Sequence, residues 1–196
     1  MRQQILTTEV WAQLWLCVED SIRIKELLAS NGVKRSTILS RLHITVYHAR
    51  RPMPGVVEID EPISLIVPTA ETRFMVLAPG GENPRPELIP GHRKVGIRIQ
   101  KKNDARPHIE AFREKLLRHE TPSVLGRRVS STRTRSAFGA RNFQPHMALL
   151  GARSGVDRDL TNIGRPFRSG ISILRFDRFS IQVVEKQRTL ISSRRT

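Results

Sequence analysis

The feature that most restricts the fold is a pair of short runs in which a histidine stands among residues that favour β-strands. The first run is Leu42-His43-Ile44-Thr45-Val46, and the second is Pro145-His146-Met147-Ala148-Leu149. Runs of this kind, bounded by turn-forming residues, are typical of strands. They indicate that part of the core is built on a sheet that carries a histidine at two places.

In each run the histidine is predicted to share a face with the residue two positions later, because alternate side chains of a strand point the same way. In the first run, His43, Thr45 and Tyr47 are predicted to share a face, while the residues between them face a core. In the second run, His146 and Ala148 are predicted to do the same. The two faces could therefore act together if the strands are neighbours.

The remaining pattern alternates helices with short strands. Apolar residues recur at helical spacing from about Thr8 to Ser30, and Asn31-Gly32 provides a stop, which predicts one long helix. A second helix is predicted from about Pro107 to Glu120, since proline suits a first helical turn. Further strands are predicted at Ile63–Val67, Arg73–Leu77, Val95–Ile99, Ile171–Leu174 and Phe179–Val184. This order favours an α+β fold with a largely antiparallel sheet.

The chain carries a strong positive charge. Lys and Arg number 34 against 18 Asp and Glu, which gives a net charge of +16 with histidine neutral. A positive field concentrates phosphorylated partners near a protein and speeds their arrival. The alternative is a compositional excess of arginine with no dedicated partner, because charge alone does not identify a site. Aromatic residues make up 5%, which argues against base stacking as the main mode of binding.

The single cysteine, Cys17, limits the covalent chemistry. One thiol cannot form an intramolecular disulfide or a thiolate zinc site, and its apolar neighbours favour an inert core thiol. The apolar segment Val10–Val18 is too short to span a membrane, and Glu19 and Asp20 follow it directly. We therefore expect a cytoplasmic monomer with no membrane attachment.

Two histidines on strand faces are suited to acid–base chemistry at a phosphodiester. Cleavage requires one group to take a proton from the attacking oxygen and another to give a proton to the leaving oxygen. Imidazole serves both roles, because its unperturbed pKa of about 6.5 leaves both forms available near neutral pH. The Thr45 hydroxyl can hydrogen-bond a non-bridging phosphate oxygen on the face of His43. The alternative is that His43 and His146 are unrelated core or surface histidines.

The two runs together resemble the motifs of the two-histidine phosphoesterase superfamily, which includes the 2′-5′ RNA ligase-like proteins and the 2′,3′-cyclic phosphodiesterases. The signature is two well-separated copies of His-x-Thr/Ser followed by an apolar residue. His43-Ile44-Thr45-Val46 matches it in full, and Phe143-Gln144-Pro145-His146-Met147 is similar to the usual approach to the second copy. The helix predicted before this second copy, and the strand Phe179–Val184 after it, also fall where the family has them.

One residue departs from the family pattern. Ala148 stands where the family usually has Thr or Ser, which removes one expected phosphate contact. Either Gln144 or an arginine of the loop before His146 takes over that contact, or the substrate differs, or activity is weak. Losing one well-placed donor costs roughly 10²–10³ in rate, so Ala148 does not by itself imply an inactive protein.

The resemblance implies an α+β fold of two pseudo-symmetric lobes, each a mainly antiparallel sheet with helices outside, around a central cleft. Residues 1–191 would form this one domain, and residues 192–196 a basic disordered tail. The implied activity is a metal-independent phosphodiesterase, with His43 and His146 as general acid and base on a 2′,3′-cyclic or 2′-5′ phosphodiester of RNA or a nucleotide. Neither a metal nor a bound cofactor is expected.

Two other functions stay open. Some phage-encoded members of the superfamily degrade cyclic oligonucleotide immune signals, and the long helix predicted before the first motif departs from the short opening strand of the ligase-like branch. A non-catalytic basic RNA-binding protein would explain both the net charge of +16 and Ala148. Convergence of His43 and His146 on one phosphate would favour catalysis, whereas wide separation would favour the binding module.

Further residues are candidates for substrate contacts. Tyr47 is predicted on the His43 face, where it either positions the substrate or packs at the rim. From Arg127 to Arg141 there are five arginines and no acidic residue, which predicts a basic loop that leans over the substrate or is merely solvated. Arg141 is the member of this loop that we assign to substrate binding. His48 is predicted to face away from His43.

Overall fold

The computed structural model describes residues 2–49, 51–77, 94–119, 143–151 and 160–191. Within these ranges the chain forms seven strands, three α-helices and a 3-10 turn at Arg35–Thr37. The strands are β1 (Arg2–Leu16), β2 (His43–Ala49), β3 (Ile59–Pro68), β4 (Thr72–Leu77), β5 (Lys94–Ile99), β6 (His146–Leu150) and β7 (Ile173–Ile191). The helices are α1 (Val18–Ser30), α2 (Arg106–Leu117) and α3 (Leu160–Gly170).

The seven strands form one sheet in the order β3-β7-β1-β2-β6-β5-β4, and the neighbouring strands are antiparallel. The α+β class and the antiparallel sheet are therefore confirmed. The longest pairing joins β1 to β7, from Arg2 opposite Ile191 to Leu16 opposite Phe176. Strands from distant parts of the sequence thus lie together at the middle of the sheet.

An apolar row crosses the sheet and marks its core face. The directly paired residues of this row are Phe179, Leu14, Ile44, Met147, Ile97 and Phe74. At the two ends of the row, Phe112 of α2 contacts Phe179 with ring centroids 4.8 Å apart, and Phe167 of α3 contacts Phe74 at 5.6 Å. Helices α2 and α3 therefore cover this face. We call the opposite face, which carries His43 and His146, the histidine face.

Helix α1 follows β1 directly and is tied back to β7. Ile24 and Leu28 lie one helical turn apart and are buried in the core. Asp20 in the first turn is also buried, and its carboxylate accepts a hydrogen bond from the backbone N–H of Arg175 at 2.7 Å and another from the guanidinium at 2.7 Å. This bidentate contact sets where the helix leaves the sheet.

The helix predicted over Thr8–Ser30 is wrong in its first half, because the chain is a strand up to Leu16 and the helix begins at Val18. Apolar residues occupy both faces of β1, so the strand alternation is hidden and the same run matches a helical stripe. Pairing with β2 on one side and β7 on the other favours the strand. The chain therefore has an opening strand before the first histidine motif.

The other predicted elements differ mainly in extent. The helix predicted from Pro107 is confirmed as α2, whereas the two strands predicted after Ile171 are one long strand, β7. Helix α3 was not predicted, because Gly164 and Pro166 inside it are typical helix breakers. No helix of the described ranges is long and apolar enough to cross a membrane.

Candidate active site

The two histidine runs lie side by side in the sheet. Strands β2 and β6 are antiparallel neighbours, and Ile44 pairs with Met147 on the core face. In an antiparallel pair, the positions one step to either side of such a pair also lie opposite each other, and their side chains point to the other face. The residues that flank Ile44 and Met147 are therefore brought together on the histidine face.

Four motif residues meet there. From the register, His43 lies opposite Ala148, and Thr45 lies opposite His146. The two histidines are diagonal neighbours, a relation that places Cα atoms roughly 7–8 Å apart in a sheet. Aromatic and long side chains at such positions are within reach of each other. The structure thus brings together His43, Thr45, His146 and Ala148.

A β-bulge in β2 changes the face of the residues that follow Thr45. Gln13 of β1 pairs with Thr45 and Ala12 pairs with Tyr47, so Val46 is an extra residue in β2. Tyr47 consequently points into the core, where its side chain is 0% exposed. The prediction that Tyr47 lies on the histidine face is therefore wrong, and direct contact with a substrate would require it to leave the core.

The same bulge brings His48 to the histidine face. His48 pairs with Trp11 of β1, and the two rings stack with their centroids 3.6 Å apart. Glu9 accepts a hydrogen bond from the indole Nε1 of Trp11 at 3.1 Å, and its carboxylate lies 3.8 Å from Nε2 of His48. The prediction that His48 faces away from His43 is therefore wrong. His48 belongs to a cluster further along the same face.

Strand β6 carries a matching bulge. Ala148 pairs with Gly96 of β5, while Leu150 pairs with Val95, so Leu149 is the extra residue. In both motifs the extra residue is the third one after the histidine. The two motifs therefore share a backbone irregularity as well as a sequence pattern.

The ring of His146 is oriented by backbone and by α2. Its Nδ1 lies 2.9 Å from the carbonyl oxygen of Gln144. Because a carbonyl can only accept, Nδ1 carries the proton in the neutral ring, and Nε2 is the basic nitrogen. The preceding Phe143 lies against the guanidinium groups of Arg113 and Arg106, and Arg106 also donates to the Phe143 carbonyl at 2.6 Å. Helix α2 thus holds the approach to β6.

His43 is held from the side of β1 by Trp15, the residue directly opposite it. The two rings lie 4.9 Å apart and are tilted by 48°. The indole Nε1 of Trp15 donates to Oγ of Ser180 at 2.7 Å, and the guanidinium of Arg178 lies 5.0 Å from the indole ring. Trp15 is therefore a positioning residue for His43. It is not identifiable from the sequence, which predicts a helix there.

The surroundings of His43 lower its pKa from the usual value of 6.5. Burial is the largest cause, because it disfavours the charged ring. The carbonyl of Arg41 acts in the opposite direction, while the positive charges of Lys94 and His146 lower the pKa further. His43 is therefore mainly neutral at pH 7, which is the form that accepts a proton.

Two arginines lie in line with His146 on the histidine face, on the two strands beyond β6. Arg98 of β5 lies opposite His146, and Arg73 of β4 lies opposite Arg98. Both residues fall in strands that the sequence predicts, yet neither is identifiable as a site residue from its strand alone. The alternation within a strand gives its two faces, whereas the neighbours of those faces depend on the order of strands in the sheet.

Arg141 and the rest of the Arg127–Arg141 loop lie outside the described residues. Within the described ranges, no group of three or more His, Cys, Asp or Glu side chains is placed to hold one metal ion. No family model matches this chain, and no curated protein matches it. The functional interpretation therefore depends on the motif residues and on the geometry of the histidine face.

Proposed function

We propose that the protein is a metal-independent phosphodiesterase in which His43 and His146 act on one phosphate group. The observation that carries the proposal is their placement as diagonal neighbours on adjacent strands, about the Ile44–Met147 pair. Two unrelated surface histidines would have no reason to share this placement and a matching bulge three residues later. Convergence of this kind also favours catalysis over a non-catalytic RNA-binding role.

The environments of the two histidines suggest their roles. We assign His43 as the general base, because its lowered pKa keeps the ring neutral near pH 7. We assign His146 as the general acid, because His43 takes the role of base and the Gln144 carbonyl, which accepts from Nδ1, leaves Nε2 as the nitrogen that can transfer a proton. We assign Thr45, across from His146 in this register, as the donor of a hydroxyl to a non-bridging phosphate oxygen.

In the proposed reaction, a 2′,3′-cyclic phosphate is opened by water. His43 takes a proton from the water as its oxygen forms a bond to phosphorus. The bond from phosphorus to one ribose oxygen breaks, and His146 gives its Nε2 proton to that oxygen. The product is a phosphomonoester beside a free ribose hydroxyl, and the two histidines exchange protons with water before the next turnover.

The substrate we propose is a 2′,3′-cyclic or 2′-5′ phosphodiester of RNA or a nucleotide. The net charge of +16 supports a polyanionic partner. The alternative substrate, a cyclic oligonucleotide immune signal, was suggested by a helix in place of the opening strand. Because β1 is a strand, that reason no longer applies.

We further propose that the sheet is organised as two lobes with a cleft between them. Strands β3, β7, β1 and β2 would form one lobe, and β6, β5 and β4 the other. In this arrangement each lobe has, at its inner edge, one strand that carries a catalytic histidine. The matching bulges in β2 and β6 support a pseudo-symmetric relation between the lobes.

The test is a panel of substrates that contains 2′,3′-cyclic mononucleotides, 2′-5′-linked dinucleotides and cyclic dinucleotides. We expect turnover of at least one class in the presence of EDTA. His43→Ala and His146→Ala should each lower kcat by about 10²–10⁴, the usual contribution of general acid–base catalysis. His108→Ala, on the exposed side of α2, is the matched control and should keep full activity. Full activity in either active-site variant would refute the proposal.

A further inference from the structure

Two like charges lie directly opposite each other beside the proposed catalytic histidines. Arg73 and Arg98 are a cross-strand pair between β4 and β5, on the same face as His146. Like charges directly opposite across two strands destabilise a sheet. Neither arginine makes an ion pair or a side-chain hydrogen bond with another described residue. The pair is therefore uncompensated within the described part of the chain.

Several arginines of the described ranges have carboxylate partners. Arg175 contacts Asp20 at 2.7 Å, and Arg106 contacts Glu110 at 2.5 Å. Other exposed arginines of the described ranges also lack a carboxylate partner, but Arg73 and Arg98 lie opposite each other on neighbouring strands, which brings their two charges together. An anion from outside the described residues would remove the repulsion.

The neighbouring row of the sheet carries no large side chain beside the pair. Ala148 and Gly96 lie opposite each other, so neither strand places a large side chain there. Lys94 precedes Gly96 by two residues on the same face, and its charge is close enough to act on His43. This row of small residues is therefore flanked by cations and by the proposed catalytic histidines.

We infer that Arg73 and Arg98 form a subsite for a second phosphate, so that the preferred substrate is an oligonucleotide or a nucleotide with a phosphate besides the scissile one. The inference rests on the proposed function for the position of the scissile phosphate. Guanidinium groups bind phosphate through paired, charge-assisted hydrogen bonds. Neighbouring strands lie about 4.8 Å apart, so Arg98 and Arg73 stand roughly 5 and 10 Å from β6. Long side chains at those distances can reach a phosphate one nucleotide away.

The direct test is calorimetric titration with adenosine 3′,5′-bisphosphate and with adenosine 3′-monophosphate. We expect the protein to bind the bisphosphate roughly ten- to hundredfold more tightly, the value of a charge-assisted contact. Arg73→Gln should remove most of this preference and leave the monophosphate affinity unchanged. Arg168→Gln removes the same charge from an exposed position on α3 and should keep the preference. Equal affinities in the unaltered protein, or a preference that Arg73→Gln retains, would overturn the inference.

Thermal unfolding without ligand adds a second readout. Because Arg73→Gln removes the repulsion with Arg98, its Tm should equal or exceed that of the unaltered protein. A clearly lower Tm would assign Arg73 a structural role and overturn the subsite.

Turnover separates this inference from the proposed function. Adenosine 2′,3′-cyclic phosphate is compared with and without a 5′-phosphate. If neither compound is cleaved while the binding preference persists, the proposed reaction fails and the subsite stands. If both are cleaved at equal kcat/KM and bind without preference, the reaction stands and the subsite fails.

Discussion

The Ile44–Met147 pair sets a register in which Thr45 of the first motif faces His146 of the second, and Ala148 of the second faces His43 of the first. Each histidine therefore faces the position two residues after the other histidine. His146 keeps a hydroxyl beside it, whereas the equivalent hydroxyl beside His43 is absent because the residue is alanine. The two halves of the proposed site thus differ at one side chain, next to the histidine that we assign as the base.

Restoring this hydroxyl should reveal what the missing side chain does. With Ala148→Ser or Ala148→Thr, turnover of a 2′,3′-cyclic phosphate should hold or rise, by up to about 10²-fold if the new donor is well placed. On a bulkier native substrate that uses the space, Thr should lower kcat/KM and Ser should lower it less. Steady-state kinetics on both substrates provides the measurement.

Ala148→Val is the matched control, because valine has the shape of threonine without its hydroxyl. A gain with Thr that Val lacks is due to the donor, whereas an equal loss with both is due to bulk. Unchanged kinetics on every substrate with all three variants would mean that Ala148 does not line the site.

The lowered pKa of His43 predicts the acid limb of the pH profile. If neutral His43 is the base, kcat/KM should fall on acidification with an apparent pKa below 6.5. Lys94→Gln removes a positive charge that lowers this pKa, so its acid limb should move to higher pH. Lys102→Gln, an exposed lysine paired with Glu71, is the control and should leave the limb in place. An acid limb that Lys94→Gln does not move would contradict the assignment of His43.

The same shift links folding stability to pH. Because the pKa of His43 is lower in the folded state than in the unfolded state, the unfolded chain binds this proton more readily. The contribution to the free energy of unfolding is present above pH 6.5 and is lost as the pH falls through that value toward the folded pKa. Denaturant unfolding of the protein and of His43→Gln at several pH values should show a smaller loss in the variant. Equal losses would show that His43 does not titrate differently on folding.

Tyr47 provides a test of the bulge in β2. Its hydroxyl is buried and makes no hydrogen bond with a described residue, which is costly inside a core. Tyr47→Phe should therefore keep full activity and leave the free energy of unfolding equal or raise it by about 1 kcal/mol. Tyr47→Ala, which removes the packed ring, should lower it by about 3–5 kcal/mol. Loss of activity in a well-folded Tyr47→Phe protein would instead place the hydroxyl at the substrate.

The strands that carry the histidines are predictable because each run is bounded by turn-forming residues and its side chains alternate between two faces. The sequence correctly predicts His43 and Thr45 on one face, with Ile44 on the core face. For the second run, the sequence likewise predicts His146 and Ala148 on one face of a strand. The sequence pattern cannot predict that the two strands pair at Ile44 and Met147, because pairing between distant segments is decided by the packing of the whole sheet.

The predictions for Tyr47, His48 and β1 are wrong for one reason, which is that the periodicity of a sequence does not contain the effect of the neighbouring strand. A bulge inserts one residue and reverses every later face, and its position depends on the partner strand as much as on its own residues. The run from Val10 to Leu16 is apolar on both faces, so strand and helix periods fit it equally. In both cases the neighbour, and not the local sequence, decides the outcome.

The central claim is that His43 and His146 contact one phosphate, and NMR of the imidazole signals tests it most directly. The protein is titrated with adenosine 3′-monophosphate, and the ring signals are assigned with variants in which one histidine at a time is replaced. We expect the signals of His43 and His146 to move together with the same Kd, while that of His108 on α2 stays in place. Movement of only one of the two signals, or movement with two different Kd values in a folded protein, would contradict the account.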